Sequence, residues 1–189
     1  MRKRMYMQKC LERSRRLRIG RVLFGIALIL VFLRLYIFIP TEVTGISMYP
    51  TLNPNDRVVM STVSSINRFD IIVFTDPMNK TVVKRVIGLP GDSVRYEQDN
   101  LYINNKIVKE PFLKRSEISG EPGLWTSNFT MINDNENKVP EDHYFLMGDN
   151  RRYSYDSRFY GSISREEVLG KVVMMYYPSD KINFFSQIP

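Results

Sequence analysis

The polarity pattern changes character along the chain and divides it. Residues 22–39, VLFGIALILVFLRLYIFI, are a run of 18 residues that is apolar except for Arg34 and Tyr36. Coiled as a helix at 1.5 Å per residue, such a run reaches about 27 Å, close to the thickness of a bilayer core. Pro40 closes it and turns the chain toward an extended form. Beyond Pro40 the apolar residues come in short β-branched and aromatic runs bounded by Asn, Pro, Asp and Gly, which is the signature of strands. RVVMSTV (57–63), DIIVFTD (70–76), HYFLMGDN (143–150) and KVVMMYY (171–177) are such runs. TVVKRVIGLPGDSVRYE (81–97) reads as strand, Pro-Gly turn and strand, and NLYINNKIV (100–108) as a hairpin with Asn-Asn in its turn. VTGISMYPTL (43–52) runs from an extended segment into a turn. SREEVLG (164–170) has a Ser N-cap, a capping-box Glu and a closing Gly, and so predicts one short helix. Residues 109–140 are polar and weakly periodic, which predicts an insertion on the core, with NDNENK (133–138) as a solvent loop.

Charge sharpens the division. The net charge is +7, yet nine of the bases (Arg2, Lys3, Arg4, Lys9, Arg13, Arg15, Arg16, Arg18 and Arg21) stand in residues 1–21 against one acid, Glu12. The remaining 18 bases face 19 acids. A nucleic-acid-binding fold would carry its bases on the folded surface, so no nucleic-acid partner is expected. A basic head before an apolar run is instead the pattern of a membrane anchor with its N-terminus in the cytoplasm. Arg34 lies near the far end, where its stem can snorkel to the headgroups, and Tyr36 suits the aromatic belt. A cleaved leader would need a shorter apolar run and small residues after it; here Tyr36-Ile37-Phe38-Ile39-Pro40 follows. The expected organisation is therefore a cytoplasmic head (1–21), a transmembrane helix (22–39) touching the lipid bilayer, and a mostly β extracytoplasmic domain (40–189).

The chain has one Cys and one His. Multi-cysteine zinc sites and two-histidine metal motifs are excluded, and no metal or cofactor is expected. Chemistry must then rest mainly on Ser, Lys, Asp, Glu or Arg. Lys84, on a strand, shares a face with Val82 and Val86. If that face is covered, desolvation lowers its pKa toward that of a general base. Ser47 sits where an extended run meets a turn, so that its hydroxyl lies beside free backbone N–H groups. With one histidine, a serine nucleophile would most economically use lysine as its base. GDNRRYSYDSRFYG (148–161) is too polar for a core segment; Asp156 and Arg158 stand two apart, and Asp149 can reach Arg85 from a neighbouring strand. Taken singly, each of these residues has a plain structural explanation.

Taken together and in order, they resemble a known family. An anchor, then SMYPTL (47–52), DIIVF (70–74), KRVIGLPGD (84–92) and GDNR with S-x-DSR-x-x-G (148–161) are similar to the bacterial type I signal peptidases, of the single-anchor kind typical of Gram-positive bacteria. The resemblance implies Ser47 as nucleophile, Lys84 as general base and Ser154 as the hydroxyl that orients Lys84. It implies the pairs Asp149–Arg85 and Asp156–Arg158 as structural supports, and gives Asp70 to a structural strand motif. Val43, Met48, Leu52 and Val83 fall at positions lining small substrate pockets. The implied fold is an antiparallel β domain of coiled sheets with a small inserted subdomain. The implied reaction is removal of signal peptides from exported preproteins, after small residues of the Ala-X-Ala type.

The chain departs from that pattern at Gly45, where some members carry a serine for the oxyanion hole, at Phe69, where glycine is frequent, and at Tyr153, where asparagine is frequent. Three other readings stand beside this one. A soluble Ser-Lys autoprotease would share the core but have no anchor. A catalytically dispensable assembly factor for surface structures would be marked by loss of the serine or the lysine, and both are present. A tethered binding module leaves the ordered motifs unexplained.

Overall fold

The computed structural model describes residues 2–113, 123–131 and 137–185, with the backbone alone at 2–14, 34 and 36. The chain divides into two units, residues 1–39 and residues 40–189. The first is dominated by one helix, α1 (Arg2–Tyr36), in which the basic head and most of the apolar run are continuous. Val22, Leu23, Phe24, Leu28, Ile29 and Leu30 are all more than half exposed on it. Among the described residues, no helix is long and apolar enough to cross a membrane. The expected span at 22–39 is also shorter at its end than the sequence suggests. α1 stops at Tyr36, and Phe38–Glu42 is already strand β1, in keeping with Pro40.

The second unit is built on antiparallel sheets. After β1 come β2 (Arg57–Ser61), β3 (Ile71–Thr75), β4 (Thr81–Gly88), β5 (Val94–Glu97), β6 (Asn100–Ile103), β7 (Lys106–Val108), β8 (Phe129–Thr130), β9 (His143–Met147), β10 (Ile163–Ser164), β11 (Val168–Tyr177) and β12 (Asn183–Phe184). The main sheet has the order β1-β2-β11-β3-β4-β9-β10, with β12 beside β11. β3 and β4 lie at its centre, and their near-continuous burial matches the runs IIVFT and VVKRVIG. A second sheet, β7-β6-β5-β8, is made by the chain between β4 and β9.

Most strands fall where the polarity pattern puts them. The Asn104-Asn105 hairpin forms with both residues at positive φ and Ile103 opposite Lys106. Leu89-Pro90-Gly91-Asp92 is a turn closed by Asp92 N–H on the Leu89 carbonyl, with Gly91 supplying the positive φ. The helix expected at 164–170 is not there. Ser164 does cap, accepting from the Glu166 N–H, but only a 3-10 turn (Arg165–Glu167) follows before β11 begins at Val168. Gly170 is not a helix stop: it pairs with Val73, and a Cβ there would lie 2.8 Å from the Ser61 carbonyl oxygen. The insertion expected at 109–140 is drawn differently too, because the second sheet already begins at Val94 and takes only β8 from that stretch. Residues 114–122 and 132–136 of the stretch, including most of the expected loop at 133–138, lie outside the described residues.

Two apolar clusters flank β4. Ile72, Phe74, Val86, Leu146 and Ile163, with Val82 and Tyr160 packed against them, form one. Ile87, Val94, Tyr96, Leu101, Phe145 and Met147 form the other, toward the second sheet. β4 presents alternate side chains to each, and that alternation fixes where its two basic residues point.

Candidate active site

Lys84 falls on the first of those faces. Ile72 stands opposite it across the β3–β4 ladder, while Phe74 stands opposite Val82 and Leu146 opposite Val86. The lysine is 4% exposed and takes part in no ion pair among the described residues. Burial is the main influence on it and pushes the amine down from 10.5 to about 8; Asp156 opposes that and Arg158 assists it. The sequence expectation of a desolvated lysine between two valines is met.

Arg85, next in the strand, points the other way and organises the site's frame. Its Nε and Nη2 bind Asp149 Oδ1 and Oδ2 at 2.8 and 2.6 Å, a buried bidentate pair. Its Nη1 donates to the Phe69 carbonyl at 2.7 Å, and its guanidinium lies over the Phe112 ring. Asp149 also accepts from the Thr51 hydroxyl at 2.5 Å. One carboxylate thus ties the lysine's strand to the turn that carries Ser47.

Asn150 completes that tie. Its backbone N–H donates to the Ser47 carbonyl at 2.9 Å, and its Nδ2 donates to the Ile46 carbonyl at 3.1 Å. Gly148 lets the parts close up: a Cβ on it would lie 2.3 Å from Ser154 Oγ and 2.4 Å from the Ser47 carbonyl oxygen. Only glycine fits there, so Ser47, Gly148 and Ser154 meet at one point. Gly148, Asn150 and Thr51 were not singled out from the sequence. The signal was present for two of them, since both stand in the GDN triplet, but nothing local tells which atom of a loop they clamp.

Ser154 is 6% exposed, and its Oγ has no hydrogen-bond partner among the described residues. The expected contact with Lys84 is therefore not formed, although Ser154 is brought to the site. Asp156 and Arg158 pair as expected: Nε to Oδ1 at 2.8 Å and Nη2 to Oδ2 at 2.9 Å. Asp156 also accepts the Gly148 N–H at 3.1 Å and caps the short helix α2 (Ser157–Tyr160). Arg158 reaches back to the Arg151 and Ser154 carbonyls, so this pair fastens the loop 148–158 to itself. Asp70, at the head of β3, accepts the Asn67 N–H and pairs with Lys171 on β11 at 2.7 Å, a partner the sequence did not reveal. His143 starts β9, with Nδ1 2.8 Å from the Glu141 carbonyl oxygen.

Beside Ser47 runs a groove of about 80 Å³ between residues 41–48 and the start of β4. Val43, Met48 and Val83 line it, as expected, together with Thr44, Gly45, Thr81 and Val82. Leu52 does not; it is fully buried and serves the packing beneath the turn. Tyr153 does not line it either and is exposed. β9 pairs with β4 from Arg85 onward, so the edge at Thr81–Val83 is not taken up by that strand. A larger hollow of about 380 Å³, under Phe129, Phe145 and Phe159, includes neither Ser47 nor Lys84.

Comparisons with known proteins agree on what this assembly resembles. The family model described as signal peptidase, peptidase S26, matches residues 16–177. Signal peptidase I V of Bacillus subtilis strain 168 is 40% identical over 141 residues, covering 72% of this chain and 84% of that protein. Signal peptidase IB of Staphylococcus aureus strain MRSA252 is 33% identical over 158 residues, covering 79% and 83%. The crystal structure of a signal peptidase I from Enterococcus faecalis V583 superposes with a TM-score of 0.53 at 38% identity, over 58% of this chain and 97% of that one.

Proposed function

The chain belongs to the signal peptidase family, peptidase S26, and is a serine peptidase; from that premise we propose that its β domain removes signal peptides from exported preproteins with Ser47 as nucleophile and Lys84 as general base. The observation that carries this reading is the unpaired, buried Lys84 with its amine lowered to about 8, on a strand fastened through Asp149 to the turn holding Ser47. A lysine that is neutral in an appreciable fraction near neutral pH can take a proton, and among the described residues no ion pair holds it as the ammonium.

The substrate chain lies extended in the groove, adding a strand between the Thr81–Val83 edge and residues 41–45. Main-chain hydrogen bonds hold it, and the small volume beside Val43, Met48 and Val83 admits small side chains of the Ala-X-Ala type. Ser47 Oγ attacks the scissile carbonyl carbon while Lys84 Nζ takes its proton. The oxyanion is met by the Ser47 N–H, with Thr44 at the groove's rim. Collapse of the tetrahedral species breaks the C–N bond, and the protonated Lys84 returns the proton to the leaving amine. Water then attacks the acyl ester on Ser47, Lys84 again accepting the proton, and the serine is regenerated. Ser154 fixes the direction of the lysine's lone pair once substrate has closed the site.

The apolar part of α1, residues 22–36, tethers the domain to the bilayer, with the basic head on the cytoplasmic side and residues 40–189 outside. The side chains of α1 exposed at Val22–Leu30 suit a lipid surround, and the charge split sets the orientation. Enzyme and substrate then meet within one membrane, which raises their effective concentration. The test is incubation of the detergent-solubilised chain with a preprotein, followed by N-terminal sequencing of the product. Cleavage after Ala-X-Ala, lost in both Ser47→Ala and Lys84→Arg, is expected; cleavage retained in purified Lys84→Arg would sink the base assignment, because guanidinium does not deprotonate.

A further inference from the structure

The segment that holds Ser47 is itself held from a distance. Arg151 follows Asn150 directly, is 2% exposed, and sits in the 3-10 turn Arg151–Tyr153. Its Nε donates to the Gly148 carbonyl at 3.0 Å. Its Nη1 and Nη2 leave the main sheet's loop and reach the second sheet: Tyr96 Oη on β5, Thr126 Oγ1, and Glu110 just beyond β7. Tyr96 Oη also donates to Glu110, so tyrosine, glutamate and arginine close a three-membered ring of hydrogen bonds. Tyr96 is 1% exposed and Thr126 fully buried.

None of these groups lines the groove beside Ser47 or is among the charges acting on Lys84, and a purely structural anchor for the second sheet would not need to end on this arginine. Arg151 fixes Gly148, which meets Ser47, through its carbonyl, and it directly follows Asn150, which holds the Ser47 and Ile46 carbonyls. Resting on the Ser47–Lys84 reading above, we propose that Tyr96 and Glu110 of the second sheet are positioning residues for Ser47, acting through Arg151 on the Gly148–Asn150 clamp. The inserted sheet thereby sets the alignment of the nucleophile, not the affinity for substrate, since no member of the ring lines the groove.

The tests use the full chain in detergent with a fluorogenic peptide carrying Ala-X-Ala before the cut. Glu110→Gln removes the carboxylate charge facing Arg151, and a buried unpaired guanidinium can prevent folding. Tyr96→Phe keeps the ion pair and removes only the bridging hydroxyl, so it decides the matter. Tyr96→Phe should lower kcat about 10-fold, within the range expected for one buried hydrogen bond, and leave KM unchanged. Arg95→Ala, on the same strand but on its solvent side, should leave both at wild-type values. In a double-mutant cycle with Asn150→Ala, the Tyr96→Phe effect should shrink, because both act through one clamp. An unchanged kcat in folded Tyr96→Phe, or effects that simply multiply with those of Asn150→Ala, would overturn the proposal. If Ser47→Ala cleaves like wild type, the dyad reading itself falls; if Ser47→Ala is inactive and Tyr96→Phe is not impaired, only this inference falls.

Discussion

Acidification is the most direct perturbation of the proposed dyad, because Lys84 must be neutral before Ser47 can lose its proton. Burial moves the amine from 10.5 to about 8, which corresponds to roughly 3 kcal/mol of discrimination against the ammonium. Such a base is about 1% neutral at pH 6, about half neutral at pH 8 and about 90% neutral at pH 9. On a signal-peptide substrate, kcat/KM should therefore rise about tenfold per pH unit at the acid end and level off above pH 9, a total gain of about 90-fold from pH 6. A solvated lysine would still be climbing about tenfold per unit at pH 9, since its pKa is about 10.4. Stability carries the same signature. The unfolded chain binds the proton up to about 10.5 and the folded chain only up to about 8, so stability attributable to this group rises with pH through that window and the full penalty is felt below it. Lys84→Met should accordingly be inactive yet melt several degrees higher than wild type at neutral pH, since about 1 kcal/mol moves the melting point of a domain this size by about 2–4 °C. A rate that is flat between pH 6 and 9, or one still rising tenfold per unit beyond it, would show that a buried lysine of this pKa is not the base. The assay is a pH series of initial rates at low substrate, with melts of both proteins beside it.

Gly148→Ala should abolish detectable cleavage in a domain that still folds, because the new methyl must displace either Ser154 Oγ or the Ser47 carbonyl, at 2.3 and 2.4 Å; turnover together with far-ultraviolet circular dichroism checks this. Ser154→Ala should lose about 5- to 150-fold in turnover, the worth of one buried hydrogen bond felt in the transition state, and an unimpaired folded variant would remove Ser154 from the site. Protease added outside intact cells should digest residues 40–189 and spare the basic head, and protection of the β domain would overturn the proposed orientation.

Strands were legible in the sequence because their signals are local: β-branched runs, the Asn-Asn turn and the Pro-Gly turn each act over a few residues. Where the reading of 164–170 failed, the local signal was real but outcompeted. Ser164 caps as its type suggests, yet Val168 and Gly170 pair with Phe74 and Val73, and the ladder takes the chain before a second helical turn can form. The Val82 and Val86 parity put Lys84 on an apolar face, but that the face is covered, by Ile72 and the cluster around it, is seen only in the assembled sheet. The clamp was not readable, because Asn150 bonding the Ile46 carbonyl joins residues 104 positions apart. Leu52 shows the same limit: a leucine near a nucleophile looks alike whether it faces a groove or the core beneath it. Asp70 was marked without its partner because Lys171 comes from β11, which reaches β3 only in the assembled sheet.

The remaining charges around the site bear on why Lys84 stays low at all. Asp156, Asp76 and Asp149 all favour its ammonium, and an unmatched carboxylate in that enclosure would raise the amine toward its solvated value. Two of the three are matched by a guanidinium, Asp149 by Arg85 and Asp156 by Arg158, both bidentate, while Asp76 accepts the Met78 and Lys80 backbone N–H groups. Arg158 also acts directly on the lysine in the opposite sense to Asp156. Arginine suits this task where lysine would not, because it stays charged at any working pH and its fork matches a carboxylate. Buried ion pairs of this sort contribute little net stability. Their value here is that they lend the loop 148–158 rigid polar fastenings while largely cancelling the field those fastenings would impose. Desolvation by burial among Ile72, Val82 and Val86 is then the dominant influence on the amine, and the framework can hold Lys84 near these aspartates while its pKa stays at about 8.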